Sequence, residues 1–342
     1  MDRFLERNLR TQCNGNLILF DAFVKADSII NNSKYNNIIC SVSGGSDSDC
    51  MLDLIHRIDM DSKVKYVWFD TGLEYQATKN HLEYLESRYR ITIERERAVK
   101  PIPLCVKEYG QPFISKNVSE NISRLQRFNF DWTDITYEEG IEKYPECACS
   151  IKWWCNAYEK KKGCEDLPKQ FNIEYNLWLK EFLMQNPPKF KISKVCCDWA
   201  KKKTSKQFIK KSKCDVMITG VRKGEGGIRS MIYKDCFTMN EGKTSYYRPL
   251  FWFTPKDKEQ YEKYFNIVHS DCYTKWGFVR TGCVGCPFNI HIFENLDKIE
   301  QYEPNLFTAC NNIFKESYEY TKQYREFQRK MSDKRDGKKR LF

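Results

Sequence analysis

No stretch of this 342-residue chain is apolar for long enough to cross a bilayer. The opening Met1-Asp-Arg-Phe-Leu-Glu-Arg7 lacks the layout of a secretory signal. A cytoplasmic protein with no membrane partner is therefore expected. No internal repeat is evident, so no solenoid or array is expected. Acidic residues are in short supply, 46 against 57 Lys and Arg, and the formal charge of +11 calls for an anionic partner. A nucleotide, a nucleic acid and an anionic metal cluster would each satisfy it. Part of the excess sits in Lys334-Arg-Asp-Gly-Lys-Lys-Arg340, which reads as a solvated tail.

Cysteine is abundant instead. Sixteen are many for a compartment where disulfides rarely persist, so metal or redox chemistry is expected at some of them. Cys13, Cys40, Cys50 and Cys105 fit burial as small hydrophobes.

The chain is organised around Asn37-Asn-Ile-Ile-Cys-Ser-Val-Ser-Gly-Gly-Ser-Asp-Ser48. Ile38, Ile39 and Val42 suit a buried strand, and Met51, Leu52, Leu54, Ile55 and Ile58 recur at helical spacing. Between them, Gly44 and Gly45 let successive N–H groups turn toward one point, the starting helix adds its positive end, and Ser43, Ser46 and Ser48 add hydroxyls. An anion is favoured there. No Gly-Lys-Ser/Thr follows, which excludes the phosphate loop of the common NTPases.

A second strand, Val64–Asp70, ends in Asp70-Thr71-Gly72-Leu73-Glu74, and a helix follows to about Tyr89. Ile91–Glu94 reads as a third strand. Such alternation predicts a doubly wound α/β fold with a mostly parallel sheet, whose ligands bind beyond the carboxyl ends of the strands. Asp70 then serves either a nucleotide hydroxyl or Mg2+, or caps the following helix. Farther on come a helical stretch to Arg127, an irregular Asn129–Pro145, and a helix over Phe171–Gln185. Asp215–Gly220 is a late strand, and its loop offers Arg222 and Arg229 as forks for phosphate or sulfate oxygens. The expected organisation is a helical segment over 1–35, a nucleotide domain over 36–248 with an insertion at about 128–190, and a helical region over 249–342.

Two cysteine pairs stand out, Cys196-Cys197 and Cys283-x-x-Cys286. Four thiolates suit zinc or a four-iron four-sulfur cluster, and the adjacency of the first pair favours the wider cluster. Lys201, Lys202 and Lys203 supply cations beside it. Cys147, Cys149, Cys155 and Cys164 match no ligand spacing well, and mixed burial is expected of them.

Together these motifs resemble the phosphoadenosine phosphosulfate (PAPS) reductase family, with its adenosine phosphosulfate (APS) branch, within the adenine-nucleotide alpha-hydrolase superfamily. Ser43-Gly-Gly-Ser-Asp-Ser48 resembles the pyrophosphate loop and Asp70-Thr-Gly-x-Glu74 the second-strand motif. Cys196-Cys197 with Lys201 resembles the Cys-Cys-x-x-x-Lys of cluster-bearing members, Gly220-x-Arg222 with Arg229 their Gly-x-Arg loop, and Cys283-x-x-Cys286 their second ligand pair. The resemblance spans about residues 36–290. It implies nucleotide contacts from Ser43 to Ser48, Asp70, Lys201, Gly220 and Arg222, chemistry at Asp47, Asp70, Arg222 and Arg229, and a cluster on Cys196, Cys197, Cys283 and Cys286.

The reductases' Glu-Cys-Gly-Leu-His tail, which carries the catalytic cysteine, is missing. Cys310, the one later cysteine, lies in a helical run where core packing is expected. The chain also resembles the ATP pyrophosphatase subunits of DNA phosphorothioation systems. The expected activity is therefore cleavage or displacement of ATP at the alpha phosphate, with reduction of APS or PAPS and a nucleic-acid-binding role as alternatives. DNA, RNA, a modification-system partner protein and a homodimer stay open as partners.

Overall fold

The structure, a computed structural model, describes residues 13, 15–159, 170–225 and 232–339. The chain divides into two compact units, Met1–Pro101 with Trp199–Cys283, and Ile102–Asp198 with Val284–Phe342.

In the first unit, β1 (Ile38–Ser41), β2 (Val64–Asp70), β3 (Ile93–Arg97), β4 (Val216–Ile218), β5 (Phe237–Thr238) and β6 (Ser245–Tyr247) form one sheet in the order β3-β2-β1-β4-β6-β5. All pairings are parallel except that of β5 with β6. Ile38, Ile39 and Cys40 are buried, as expected of a strand covered on both faces. The order runs outward from β1 in both directions, so the loops after β1 and β4 diverge at the switch point where such sheets take their ligands.

Helices Leu17–Ile30, Ser46–Ile58, Gln76–Tyr89 and Pro255–Tyr264 belong to the same unit. Their apolar faces join the strands in one core that includes Phe23, Ile30, Leu52, Ile55, Leu82, Tyr247 and Tyr261. Asn16 starts the first helix by accepting from the N–H groups of Ile18 and Leu19. Inside the core, Asp53 is fully buried and accepts from Arg57, from Tyr89 Oη at 2.9 Å and from Tyr261 Oη at 2.6 Å.

The second unit is mainly helical and packs Phe113, Ile122, Trp153, Trp154, Phe182 and Tyr320 into its own core. Its last helix runs from Pro304 to Lys339 with a break at Phe314, where φ is −115° and ψ 17°.

Several elements depart from the sequence reading. The third strand starts two residues late, because Arg90 turns left-handed at the preceding helix end and Glu86 takes the Ile93 N–H. The irregular Asn129–Pro145 contains a helix, Tyr137–Lys143, opened by a reciprocal capping box between Thr136 and Glu139. Phe171–Gln185 is not one helix but a 3-10 turn, Ile173–Tyr175, and a helix, Leu179–Gln185. Asn172 holds the turn by bonding the backbone of Asn156 and Tyr158, and Trp178 takes a left-handed φ of 59° before the helix begins. The short strands β5 and β6 had no legible pattern.

Candidate active site

The Ser43–Ser48 loop leaves β1 and opens the Ser46–Ile58 helix. Gly44 sits at φ 66°, a left-handed value that favours glycine, and a Cβ there would come within 2.7 Å of Thr78 Cγ2. Gly45 is the N-cap and has no side chain to offer the helix start, where the Tyr273 hydroxyl meets the Ser46 backbone. Ser43 Oγ accepts from Gly45 N–H at 3.3 Å, while Ser48 Oγ accepts from Ser43 N–H at 2.9 Å. The loop is thus braced by its own hydroxyls, and its N-cap Gly45 leaves the helix start without a cap from its own residue.

Charged groups gather around it from later elements. Arg222, two residues past Gly220, brings Nε to 2.9 Å from Asp47 Oδ1. The two atoms form an ion pair without the alignment of a hydrogen bond. Gly220 itself packs on the loop, since a Cβ there would stand 3.3 Å from the Asp47 carbonyl oxygen. Arg229 lies outside the described residues. Lys258, which sequence reasoning missed, donates to Ser46 Oγ at 3.1 Å and pairs with Glu262 at 2.5 Å. Its one sequence signal was the capping box Thr254-Pro-Lys-Asp257, which fixes where the helix begins and hence which face the lysine takes.

Beneath the loop lies a chain of charges that sequence also missed. His269 Nδ1 is 2.7 Å from Asp49 Oδ2, its Nε2 is 2.8 Å from Glu262 Oε1, and His81 Nε2 stands 3.0 Å from Asp49 Oδ1. Burial alone would lower the basicity of His269, yet the Asp49 and Glu262 carboxylates outweigh it and raise the pKa to about 9. Burial likewise works against ionised Glu262, but His269 and Lys258 hold its pKa down at about 2.

At the end of β2, Asp70 accepts from the Gly72 N–H at 2.8 Å and braces the turn; it does not cap the following helix, whose N-cap is Tyr75. Glu74 accepts from Thr71 Oγ1 at 2.5 Å. Burial raises the Glu74 pKa, opposed by the Thr71 hydrogen bonds and the charge of Lys201. Lys201 is exposed, in a π-helical turn, Asp198–Lys203.

The segment leading to Cys283 runs past both loops. Tyr273 Oη hydrogen-bonds Thr281 at 2.7 Å, and both hydroxyls face the Gly45 Cα, within 3.3 and 3.7 Å of where a Cβ would stand. Cys283 Sγ is then 3.9 Å from Thr71 Oγ1. Cys283 and Cys286 are half-buried, and Gly285 between them adopts φ 59°. In the second unit, a Cβ on Gly285 would collide with Cys310 Sγ at 2.7 Å, and Tyr318 Oη donates to the Gly285 carbonyl. Cys196 is buried and Cys197 half-buried in the short helix Val195–Cys197. Among the described residues, no group of three or more His, Cys, Asp or Glu side chains is arranged as a site for a metal ion.

Most of the remaining described cysteines are buried. Cys310 is fully buried, and burial pushes its thiol up to about 12. Cys147 and Cys155 give their S–H to the carbonyls of Tyr144 and Ile135, and Cys149 is exposed. Cys164 lies outside the described residues. No described helix is long and apolar enough to cross a membrane.

Residues 37–127 match the family of the phosphoadenosine phosphosulfate reductase domain. The resemblance read from the loop and the second-strand motif is therefore shown over the first three strands, while both cysteine pairs and Gly220-x-Arg222 lie beyond the matched stretch. No curated protein matches the chain. Similar solved structures include a phosphoadenylyl-sulfate (PAPS) reductase from Candida auris in a phosphate complex, 10% identical over 73% of this chain and 83% of that one, with a TM-score of 0.38. A U34-tRNA thiolase, NcsA, from Methanococcus maripaludis with its 4Fe-4S cluster is 10% identical over 91% and 79%, at 0.37. An NH3-dependent NAD synthetase from Campylobacter jejuni is 12% identical over 89% and 94%, at 0.33.

Proposed function

We propose that the chain is an enzyme that binds an adenine nucleotide at Ser43–Ser48 and cleaves or displaces it at the alpha phosphate, beside a four-iron four-sulfur cluster. The observation that carries the reading is the helix start behind Gly44 and Gly45, set at the carboxyl edge of a parallel sheet and flanked by Arg222. The match of residues 37–127 supports it. In this reading Ser43, Ser46 and Ser48 hold phosphate oxygens, and Gly220 lets its loop close on them. Arg222, together with Arg229, neutralises charge, and Asp70 meets the nucleotide or its Mg2+. Asp47 orients Arg222.

Cys196, Cys197, Cys283 and Cys286 would hold the cluster. Four thiols in two close pairs are its usual donor set, and the left-handed Gly285 reverses the chain between Cys283 and Cys286. When bound, the cluster would supply an electron-rich iron–sulfur centre able to take up sulfur or exchange electrons. The approach of Cys283 to Thr71 supports a place for it beside the nucleotide.

Reduction of APS or PAPS to sulfite needs a thiol free to attack sulfur. Of the candidates, Cys310 is buried against Gly285 with its thiol pushed up, and the insertion cysteines, Cys149 among them, lie in no motif of the reductase type, so ATP is favoured as the substrate. The test is to incubate anaerobically purified protein with ATP, APS and PAPS and identify the products. AMP or pyrophosphate from ATP is expected, together with about four irons per chain. Thioredoxin-dependent sulfite would overturn the choice of substrate, and a colourless protein with one zinc would overturn the cluster.

A further inference from the structure

The phosphate loop carries no cation of its own. Between Ser43 and Ser48 the one ionised side chain is Asp47, so a polyphosphate seated there meets a negative charge and must draw its positive charges from other elements. Arg222 is one. Lys258, on the Pro255–Tyr264 helix, is another cation that reaches the loop itself, with Nζ 3.1 Å from Ser46 Oγ and 3.6 Å from Asp47 Oδ1.

A lysine and a glutamate four residues apart on a helix are ordinarily a solvated surface pair of little consequence. Here the pair is neither solvated nor independent. The Lys258 side chain is 15% exposed, and its partner Glu262 is tied through His269 to Asp49, which is wholly buried in the first turn of the loop's own helix. The signs alternate along that path, so each group holds the next. Glu262 therefore cannot swing outward with the lysine, and Nζ is fixed over Ser46. An ammonium has three donors; Ser46 and Glu262 take two, and Asp47 Oδ1 at 3.6 Å is beyond hydrogen-bond distance, which leaves one for a phosphate oxygen.

We propose that Lys258 is the cation that neutralises the beta and gamma phosphates of the nucleotide, and that Glu262, His269 and Asp49 are positioning residues that hold it there. The inference rests on the reading of Ser43–Ser48 as a nucleotide site. Because Nζ lies on the first helical residue of that loop, it serves the phosphates seated in the loop and not the adenosine end.

Calorimetric titration of the full chain with ATP, AMP and inorganic pyrophosphate tests this, with circular dichroism to confirm the fold of each variant. Lys258→Met should weaken ATP and pyrophosphate about ten- to a hundredfold and leave AMP unchanged. Lys258→Arg should recover most of the loss. Lys258→Gln keeps a hydrogen bond to Ser46 or Glu262 without the charge, and should lose as much as Lys258→Met, which covers the case in which the methionine variant does not fold. Glu262→Gln should weaken pyrophosphate less than Lys258→Met, because it frees the lysine without removing it. A parent that binds all three probes, with uncharged Lys258 variants that bind ATP and pyrophosphate equally well, overturns this inference alone. Equal weakening of AMP and ATP also overturns it. A parent that binds none of the three overturns the nucleotide reading as well.

Discussion

Arg222 Nε stands 2.9 Å from Asp47 Oδ1, and the contact joins the loop after β4 to the Ser43–Ser48 loop after β1. Both side chains are mostly buried, so the pair is screened less than a surface pair would be. A guanidinium has five donors in a planar fork and can serve a carboxylate and a phosphate together. Arg222→Ala should therefore weaken ATP binding about ten- to a hundredfold, as the loss of a charge-assisted contact implies. Part of that loss comes from the negative charge of Asp47 once its guanidinium partner is removed. The double variant Asp47→Asn with Arg222→Ala should bind ATP better than Arg222→Ala alone, and strict additivity in titration calorimetry would show that the two residues act separately.

Gly45 meets the proposed phosphates most closely. A Cβ there would already stand 3.3 Å from both Ser43 Oγ and Tyr273 Oη. Gly45→Val should abolish nucleotide binding while leaving the sheet intact, and a variant that binds like the parent would move the site elsewhere. Gly44→Ala should cost stability as well. Its left-handed backbone alone is worth about 1–2 kcal/mol against an L side chain, and the contact with Thr78 adds to it, so urea denaturation should show the loss.

The parallel sheet was legible because β1 and the Tyr66–Phe69 stretch of β2 are apolar, and because each of these strands is followed by a glycine-bearing loop and a helix in the order such sheets require. Lys258, His269 and Asp49 were not legible. Their meeting depends on how the Pro255–Tyr264 helix packs against the Ser46–Ile58 helix, and nothing local in either segment marks a charge that will be buried. The Thr136 capping box could have been read, since Thr-x-x-Glu is a local signal. The break of Phe171–Gln185 could not, because Asn172 makes it by bonding residues more than ten positions away.

Asp53 anchors the same helix from within the core. Its carboxylate gathers Arg57, Tyr89 and Tyr261, and Tyr261 lies on the helix that carries Lys258. Asp53→Ala would leave two buried hydroxyls and a half-buried guanidinium without their acceptor. A loss of about 2–3 kcal/mol is expected in urea denaturation, as for other orphaned buried donors. A near-neutral result would mean that water replaces the carboxylate.

His269 and Glu262 give the charge chain a pH signature. Folding raises the His269 pKa from 6.5 to about 9, so the folded state binds a proton that the unfolded chain has released. That contribution is full below pH 6.5 and fades as the pH rises through 9. Glu262 has the opposite sign. Its pKa falls from 4.5 to about 2, so its contribution is full above pH 4.5 and fades as the pH falls toward 2. The two share one contact and are not additive. Stability from this cluster should therefore be greatest between about pH 4.5 and 6.5 and decline above it. The other side chains in contact with this cluster, Asp49, His81 and Lys258, belong to the same chain, so the signature is that of the cluster. His269→Gln keeps a hydrogen-bonding side chain but no titration in this range. In urea denaturation at pH 6 and pH 9.5, the parent should lose on the order of 2 kcal/mol more than the variant. Parallel losses in the two proteins would show that His269 is not held charged by Asp49 and Glu262.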